Sequence, residues 1–360
     1  MRRSGSLALA LGLLLASIAP FMAVAQARAP EAVALPAPDR AAAIGRAIDS
    51  LKSRQLPGGA FEGFTPGAAD DFTTIKAVIA VAAAGRSSGT LTSAAGQSAL
   101  GYLAARATAY THAQSGAGPL FPGRAGQLAV AVVAGDGDPT AFGGMNLIAE
   151  LQATYDAGSG AYATAAQEGF SSGAASTLNQ LWSILGLAAA QQPVPSQASD
   201  FLISLQEKDG GWGFGSGGDV DTTALVVQAL IASGNVAPDH ARVQPGLAFL
   251  RQRQAASGGW ASFDALSADS TAVAIQALAA AGYVPATATW LTATGRTPQD
   301  DLVGLQSADG SFGGNALGTA DAIPGLAEAA LPLYGRAGRA RLALTWLAGQ
   351  QNADGSWNGF

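Results

Sequence analysis

The sequence predicts an all-α protein, an (α/α)6 toroid: a barrel of six helical hairpins with an inner ring of apolar helices and an outer ring of amphipathic ones. Three observations lead there. A short glutamine–glycine–aromatic frame recurs along the chain. Each frame separates an amphipathic segment from a far more apolar one. Two of the apolar segments, Asp221–Leu230 and Asp269–Leu278, align without a gap at a 48-residue offset.

Internal periodicity of this kind is the signature of stacked supersecondary units. Phe201 and Leu202 lead to Gln206, Gly210 and Trp212; Phe249 and Leu250 lead to Gln254, Gly258 and Trp260. Leu302 leads to Gln306, Gly310 and Phe312, and Trp346 and Leu347 lead to Gln351, Gly355 and Trp357. The frame also fits Gln55, Gly59 and Phe61, then Gln114, Gly118 and Leu120, with a degenerate copy at Asp156, Gly160 and Tyr162. Successive glycines fall 42 to 59 residues apart.

Each frame ends one helix and precedes another. The segment before it carries apolar residues at helical spacing, as Phe201, Leu202 and Leu205 do. The glycine permits the backbone of a helix C-cap and tight turn. The helix after it is apolar nearly all round and must be buried. Six such inner helices are expected at about 71–84, 124–134, 173–190, 219–233, 268–281 and 319–333. Helices 219–233 and 268–281 should be neighbouring staves, with Val227 and Ile275 buried. Seven outer helices flank the six, and the last, at about 338–351, is expected to seal the seam between the ends. An open solenoid would need polar capping repeats, which the sequence lacks. The recurrence of the Gly-x-Trp frame assigns Trp212 and Trp260 to packing between repeats.

The chain has 360 residues, 12% charged and 49% hydrophobic, with a net charge of −6 and no cysteine. Disulfides are therefore absent, and scattered charge without basic clusters argues against a nucleic-acid surface. Arg2, Arg3, the apolar run Leu7–Val24 and small residues at Ala23 and Ala25, or Ala25 and Ala27, read as a signal peptide over 1–27. Residues 28–46 then lead into a single toroid domain, 47–360. The expected location is the periplasm or extracellular space, with no stable membrane span after cleavage, since no later stretch is long and apolar enough.

On these frames the chain resembles the terpenoid cyclase and protein prenyltransferase α/α toroid superfamily, its glutamine-to-tryptophan frames being similar to the QW repeats of squalene-hopene cyclases. Prenyltransferases of that superfamily bind zinc through an Asp, a Cys and a His, and its thioester domains also need cysteine, so this cysteine-free chain departs from both. The only histidines, His112 and His240, read as surface residues near outer-helix ends. The cyclases carry an Asp-x-Asp-Asp-Thr-Ala motif whose middle aspartate protonates the alkene. The matching stretch is Asp219-Val220-Asp221-Thr222-Thr223-Ala224, with threonine in place of the third acid. The resemblance thus implies Asp221 as acid and Asp219 as its support.

Elementary capping chemistry gives a plainer reading. Asp71, Asn179, Asp221, Asp269 and Asp321 all stand where inner helices are expected to begin, and such residues accept backbone N–H bonds as N-caps. A capping role and the helix dipole would lower the pKa of Asp221, whereas repulsion from Asp219 would raise it. The loop Gly135-Asp136-Gly137-Asp138-Pro139 reads as a turn. No cofactor or metal is expected, because thiolate, phosphate-loop and metalloprotease motifs are missing. The leading functional expectation is a non-catalytic binder of a bulky, partly apolar ligand, isoprenoid- or cobalamin-like, or of a cell-surface protein partner. Its ligand-binding residues would be Asp71, Asn179, Trp182, Asp221, Asp269 and Asp321. The alternative is a cyclase-like enzyme using Asp221 and Asp219.

Overall fold

The computed structural model describes residues 39–349 apart from positions 169, 170, 216, 263, 264, 286 and 288, and these belong to one unit. The expected signal peptide and the last frame, at Gln351, lie outside the described residues.

Alanine-rich apolar stretches, all but α4 with polar caps, form the inner helices: α2 (Asp71–Ala83), α4 (Pro122–Ala134), α6 (Thr177–Ala189), α8 (Val220–Ala232), α10 (Ala268–Ala280) and α12 (Ala316–Leu326). Each packs on the next, and α12 packs back on α2, so the ring closes. Outside it lie α1 (Arg40–Ser53), α3 (Ala99–Thr111), α5 (Leu147–Gln152), α7 (Ser196–Ser204), α9 (Val243–Arg253) and α11 (Pro298–Gly304). Val227 and Ile275 are fully buried on adjacent staves, as expected. No described helix is long and apolar enough to cross a membrane.

The repeated frame is a clamp. In three copies its glutamine Nε2 donates to the frame's own glycine carbonyl and to a carbonyl in the segment that leads into the next outer helix. Gln206 reaches Gly210 and Arg242, Gln254 reaches Gly258 and Trp290, and Gln55 reaches Gly59 and Leu91, all at 2.8–3.0 Å. The aromatic backbone N–H then bonds a threonine in the following inner helix: Phe61 to Thr74, Trp212 to Thr223, Trp260 to Thr271 and Phe312 to Thr319. The indoles of Trp212 and Trp260 donate to Leu202 and Leu250 carbonyls at 2.8 and 2.7 Å. Gly258 is obligatory here: its φ is +109°, and a Cβ would come within 2.2 Å of the Thr297 carbonyl. Short antiparallel hairpins join most frames to the ring: β1–β2 (Phe61–Glu62, Ala69–Asp70), β3–β4 (Tyr155–Asp156, Ala161–Tyr162), β5–β6 (Gln167–Glu168, Ser171–Ser172), β7–β8 (Trp212–Gly213, Gly218–Asp219) and β9–β10 (Trp260–Ser262, Ala265–Ser267).

Three expectations need correction. The seam is sealed by the first outer helix, not the last. Gln306 donates to the Ala43 carbonyl of α1 at 2.9 Å, Arg46 bonds Gln306, and Arg54 pairs with Asp309. α1 therefore starts at Arg40, inside the stretch read as a lead-in. Next, α12 is not 319–333. It starts at Ala316 on the Asn315 cap and stops at Leu326, just past Pro324. The chain then crosses the base of the ring before the last helix, α13 (Arg336–Gly349). Finally, the caps are Asp70, Ser176, Asp219, Ser267 and Asn315, not the five residues expected. The clamp threonine sets the register, and it leaves Asp71, Asn179, Asp221 and Asp269 inside the first turn and Asp321 deeper in its helix.

Candidate functional site

With register fixed by the clamp, the second, sixth and ninth residues of each inner helix share one face, the i, i+4, i+7 stripe of an α-helix. That face lines the lumen. Second positions carry Phe72, Gly123, Leu178, Asp221, Asp269 and Leu317. Sixth positions carry Lys76, Gln127, Trp182, Leu225, Val273 and Asp321. Among the charged residues on this face, only Asp221 and Asp269 are equivalent by repeat. They stand on neighbouring staves at one height.

Below them lies a cavity with about 110 Å³ of free space, walled by Asp221, Asp269, Lys76, Trp182, Leu225 and Asp321, with Ile79, Gln276, Pro324 and Leu331 deeper. On the α2–α4–α6 side the lumen opens into a mouth of about 740 Å³, which includes Asp71, Phe72, Arg106, Tyr110, Phe121, Arg124, Asn179 and Trp182. Trp182 borders both spaces. Its place depends on close backbone contact of α4 with α6: a Cβ on Gly126 would meet the Trp182 carbonyl at 2.0 Å.

Asp219 takes the helix N–H bonds, accepting from Thr222 at 2.8 Å. Asp221 is left uncapped, and its buried Oδ1 has no hydrogen-bond partner among the described residues. Burial raises its pKa, and the like charges of Asp219 and Asp321 push the same way. The Ser270 hydroxyl and Lys76 work against that rise, although Ser270 Oγ closes no hydrogen bond with it. The expected downward shift therefore does not occur, because the capping donors belong to the residue two places earlier. Asp269 is pushed up to about 6 by burial and by Asp321. Asp269 is nevertheless exposed and also borders an outer recess with Leu266 and Asn315, so Asp221 is the better shielded of the two acids.

Lys76 is a cation inside the ring. Its Nζ lies 2.7 Å from Asp321 Oδ1, 5.4 Å from the Phe72 ring centre and 5.9 Å from that of Trp182. At the mouth, Asp71 accepts from Tyr102 at 2.7 Å and from Arg106 at 3.2–3.3 Å. Burial and that bond raise the Tyr102 phenol to about 12. The Arg124 guanidinium stacks 4.5 Å from the Phe121 centre and 5.6 Å from that of Tyr110.

The six residues expected to bind ligand thus border one lumen, and Asp219 borders a side recess with Asp221. Asn179 is fully engaged: Nδ2 donates to the Ser172 and Ala174 carbonyls, and Oδ1 accepts from Gly123 N–H. His112 is not a free surface residue. It is half-buried, with Nε2 3.2 Å from Glu150. The 135–139 loop is a turn, in which Asp138 accepts from Thr140. Sequence reasoning missed Lys76, although a lysine in the apolar run Thr73–Ala84 was a visible signal. It also missed Leu331, whose role comes only from the chain's path after α12.

Comparison with solved structures gives the same architecture. A variant of type II terpene cyclase MstE from Scytonema, in its apo form, superposes with a TM-score of 0.59 at 18% identity, covering 81% of this chain and 96% of that one. Another MstE variant, in complex with geranylgeranyl dihydroxybenzoate as substrate, gives 0.56 at 17% identity over 81% and 97% of the two chains. The chain has the α/α toroid fold of the terpenoid cyclases. An ent-copalyl diphosphate synthase from Streptomyces platensis matches at 0.51 and 17% identity, over 72% of this chain and 50% of that one. No family model matches the sequence, and no curated protein matches it.

Proposed function

We propose that the lumen binds a linear polyisoprenoid and that Asp221 protonates its terminal alkene, making this a class II terpene cyclase-like isomerase. One observation carries the reading: Asp221 is shielded, uncapped and held toward its neutral form beside the cavity. Alkene protonation needs an acid kept neutral until it acts, which desolvation and neighbouring carboxylates provide. The proton moves from Asp221 to the less substituted alkene carbon and leaves a tertiary cation. A neighbouring alkene attacks that cation, and loss of a proton restores neutrality. The net change is isomerisation, with no outside reagent. Superposable cyclases described with a geranylgeranyl substrate and a merosterolic acid product support the substrate class. The N-terminal Arg2–Ala27 pattern supports export of the protein as part of this proposal.

The test is incubation of the wild type and Asp221→Asn with geranylgeraniol and squalene, with products read by gas chromatography–mass spectrometry. Cyclised product is expected from the wild type, falling at least 100-fold in the variant, in line with general acid catalysis. Equal product from both would sink the assignment.

Lys76 favours a second reading. An ammonium beside the Trp182 face occupies a position where an aromatic would otherwise stabilise a carbocation. A toroid that binds an isoprenoid without reacting accounts for that cation directly. Tight binding of geranylgeraniol with no product from the wild type would select it.

A further inference from the structure

The lumen of a helical ring is open at both ends unless something closes it. Here the chain after α12 does so. Leu331 is 7% exposed and forms part of the wall of the cavity that Asp221 and Asp269 border. Its backbone N–H donates to the buried Gln228 Oε1 at 2.9 Å, which ties the strap to α8. Further on, the Tyr334 hydroxyl donates to the Ala188 carbonyl at 3.2 Å on α6. Gly335 N–H then donates to the Val133 carbonyl at 3.3 Å on α4. The strap is therefore held under three staves in turn, and it cannot drop without breaking each of these bonds.

The resulting space is small. An apolar cavity of about 150 Å³ accepts a benzene ring, and the one above Leu331 has about 110 Å³. That suits a branched five-carbon end and excludes a folded multi-ring skeleton. We infer that the inner cavity admits one five-carbon isoprenoid end and no more, with Leu331 as the floor that sets this limit. The rest of the chain lies in the mouth between Phe72, Phe121 and Trp182. This inference rests on the isoprenoid reading above and deepens it: Asp221 protonates the unit seated in the cavity, and the neighbouring alkene reaches the cation from the mouth beside Trp182.

The test uses the full-length protein with two probes, 2-methyl-2-butene for the five-carbon end and limonene for a ten-carbon ring. Binding is followed by saturation-transfer NMR and calorimetry, with circular dichroism to establish folding. The wild type should bind 2-methyl-2-butene and take limonene at least tenfold more weakly. Leu331→Ala should tighten limonene about tenfold, and Leu331→Phe should abolish binding of the smaller probe. Leu331→Val, the gentler truncation, should fall between wild type and Ala and serves if Ala fails to fold. Limonene affinity unchanged in a folded Ala or Val variant, or no binding of 2-methyl-2-butene to the wild type, overturns the inference. Turnover is a separate readout. Absent cyclisation with the probe pattern intact sinks only the catalytic reading, and cyclisation with probes indifferent to Leu331 sinks only the floor.

Discussion

The two halves of the ring solve the same packing problem differently. From α7 to α10 the repeats are regular: each frame has its glutamine, glycine and tryptophan, and each indole reaches back to the preceding outer helix. After α2, whose own frame is intact, the pattern decays as far as α6. Leu120 stands where an aromatic is expected, α4 begins on Phe121 without a side-chain cap, and Tyr162 has no threonine to bond. There Gln180, from the inner helix, takes over the clamp. It accepts the Tyr162 N–H and donates to the Gly160 and Ala198 carbonyls, the equivalents of both targets used by the frame glutamines. The regular half supplies the acids, Asp221 and Asp269. The irregular half supplies Lys76, Trp182 and the wide mouth. A repeat that need not be uniform is free to bring different chemistry to opposite walls of one lumen.

The largest expected effect tests the regular half. Trp212 and Trp260 are fully buried, so Trp212→Ala or Trp260→Ala should cost about 3–5 kcal/mol. Leu120→Ala, in a frame lacking the clamp, should cost about 2 kcal/mol. Urea denaturation decides, and equal losses would remove the distinction between halves.

Next comes the tight α4–α6 contact of the irregular half. Gly126→Ala puts a methyl against the Trp182 backbone and should cost about 1–3 kcal/mol through overpacking. Gly304→Ala, with nothing near its Cβ, should instead be neutral or gain about 0.4–1 kcal/mol. A Gly126→Ala protein as stable as wild type would show that the two staves can part freely.

The substitute clamp gives a smaller contrast. Gln180→Leu leaves buried backbone groups unpaired and should cost about 1–3 kcal/mol. Gln206→Leu, at a partly exposed clamp, should cost about 0.5–1.5 kcal/mol. Thermal melting of the pair measures the difference. Similar values would make the degenerate repeat as ordinary as the rest.

The smallest effect concerns charge across the lumen. A carboxyl whose folded pKa is raised contributes stability that is fully present below its unfolded pKa, near 3.9, and lost as pH rises through the folded value. Asp221→Asn should therefore melt higher than wild type at pH 7 and equally at pH 3.5. Any Asp221-dependent turnover should likewise fall as pH rises through that raised value. A variant less stable at pH 7 would mean that Asp221 is held by its charge after all.

The ring itself was legible because burial has a period. All-round apolar helices and glycine-marked turns recur along the chain, and hydrophobic burial depends only on that pattern. Trp182 and the acids could be placed near the lumen for the same reason. Their roles could not, since a helix start is uncertain by a residue or two and a cap differs from its neighbour by only one position. The tie between frame and threonine resolves this, moving the N–H donors to Asp219 and leaving Asp221 to be neutralised by its surroundings. Seam and floor were equally hidden. Gln306 meets Ala43 across more than 260 positions, and Leu331 meets Gln228 across 103. Contacts that far apart leave no periodic trace, so only the closed tertiary structure decides which end of the chain seals the ring and which segment ends the cavity.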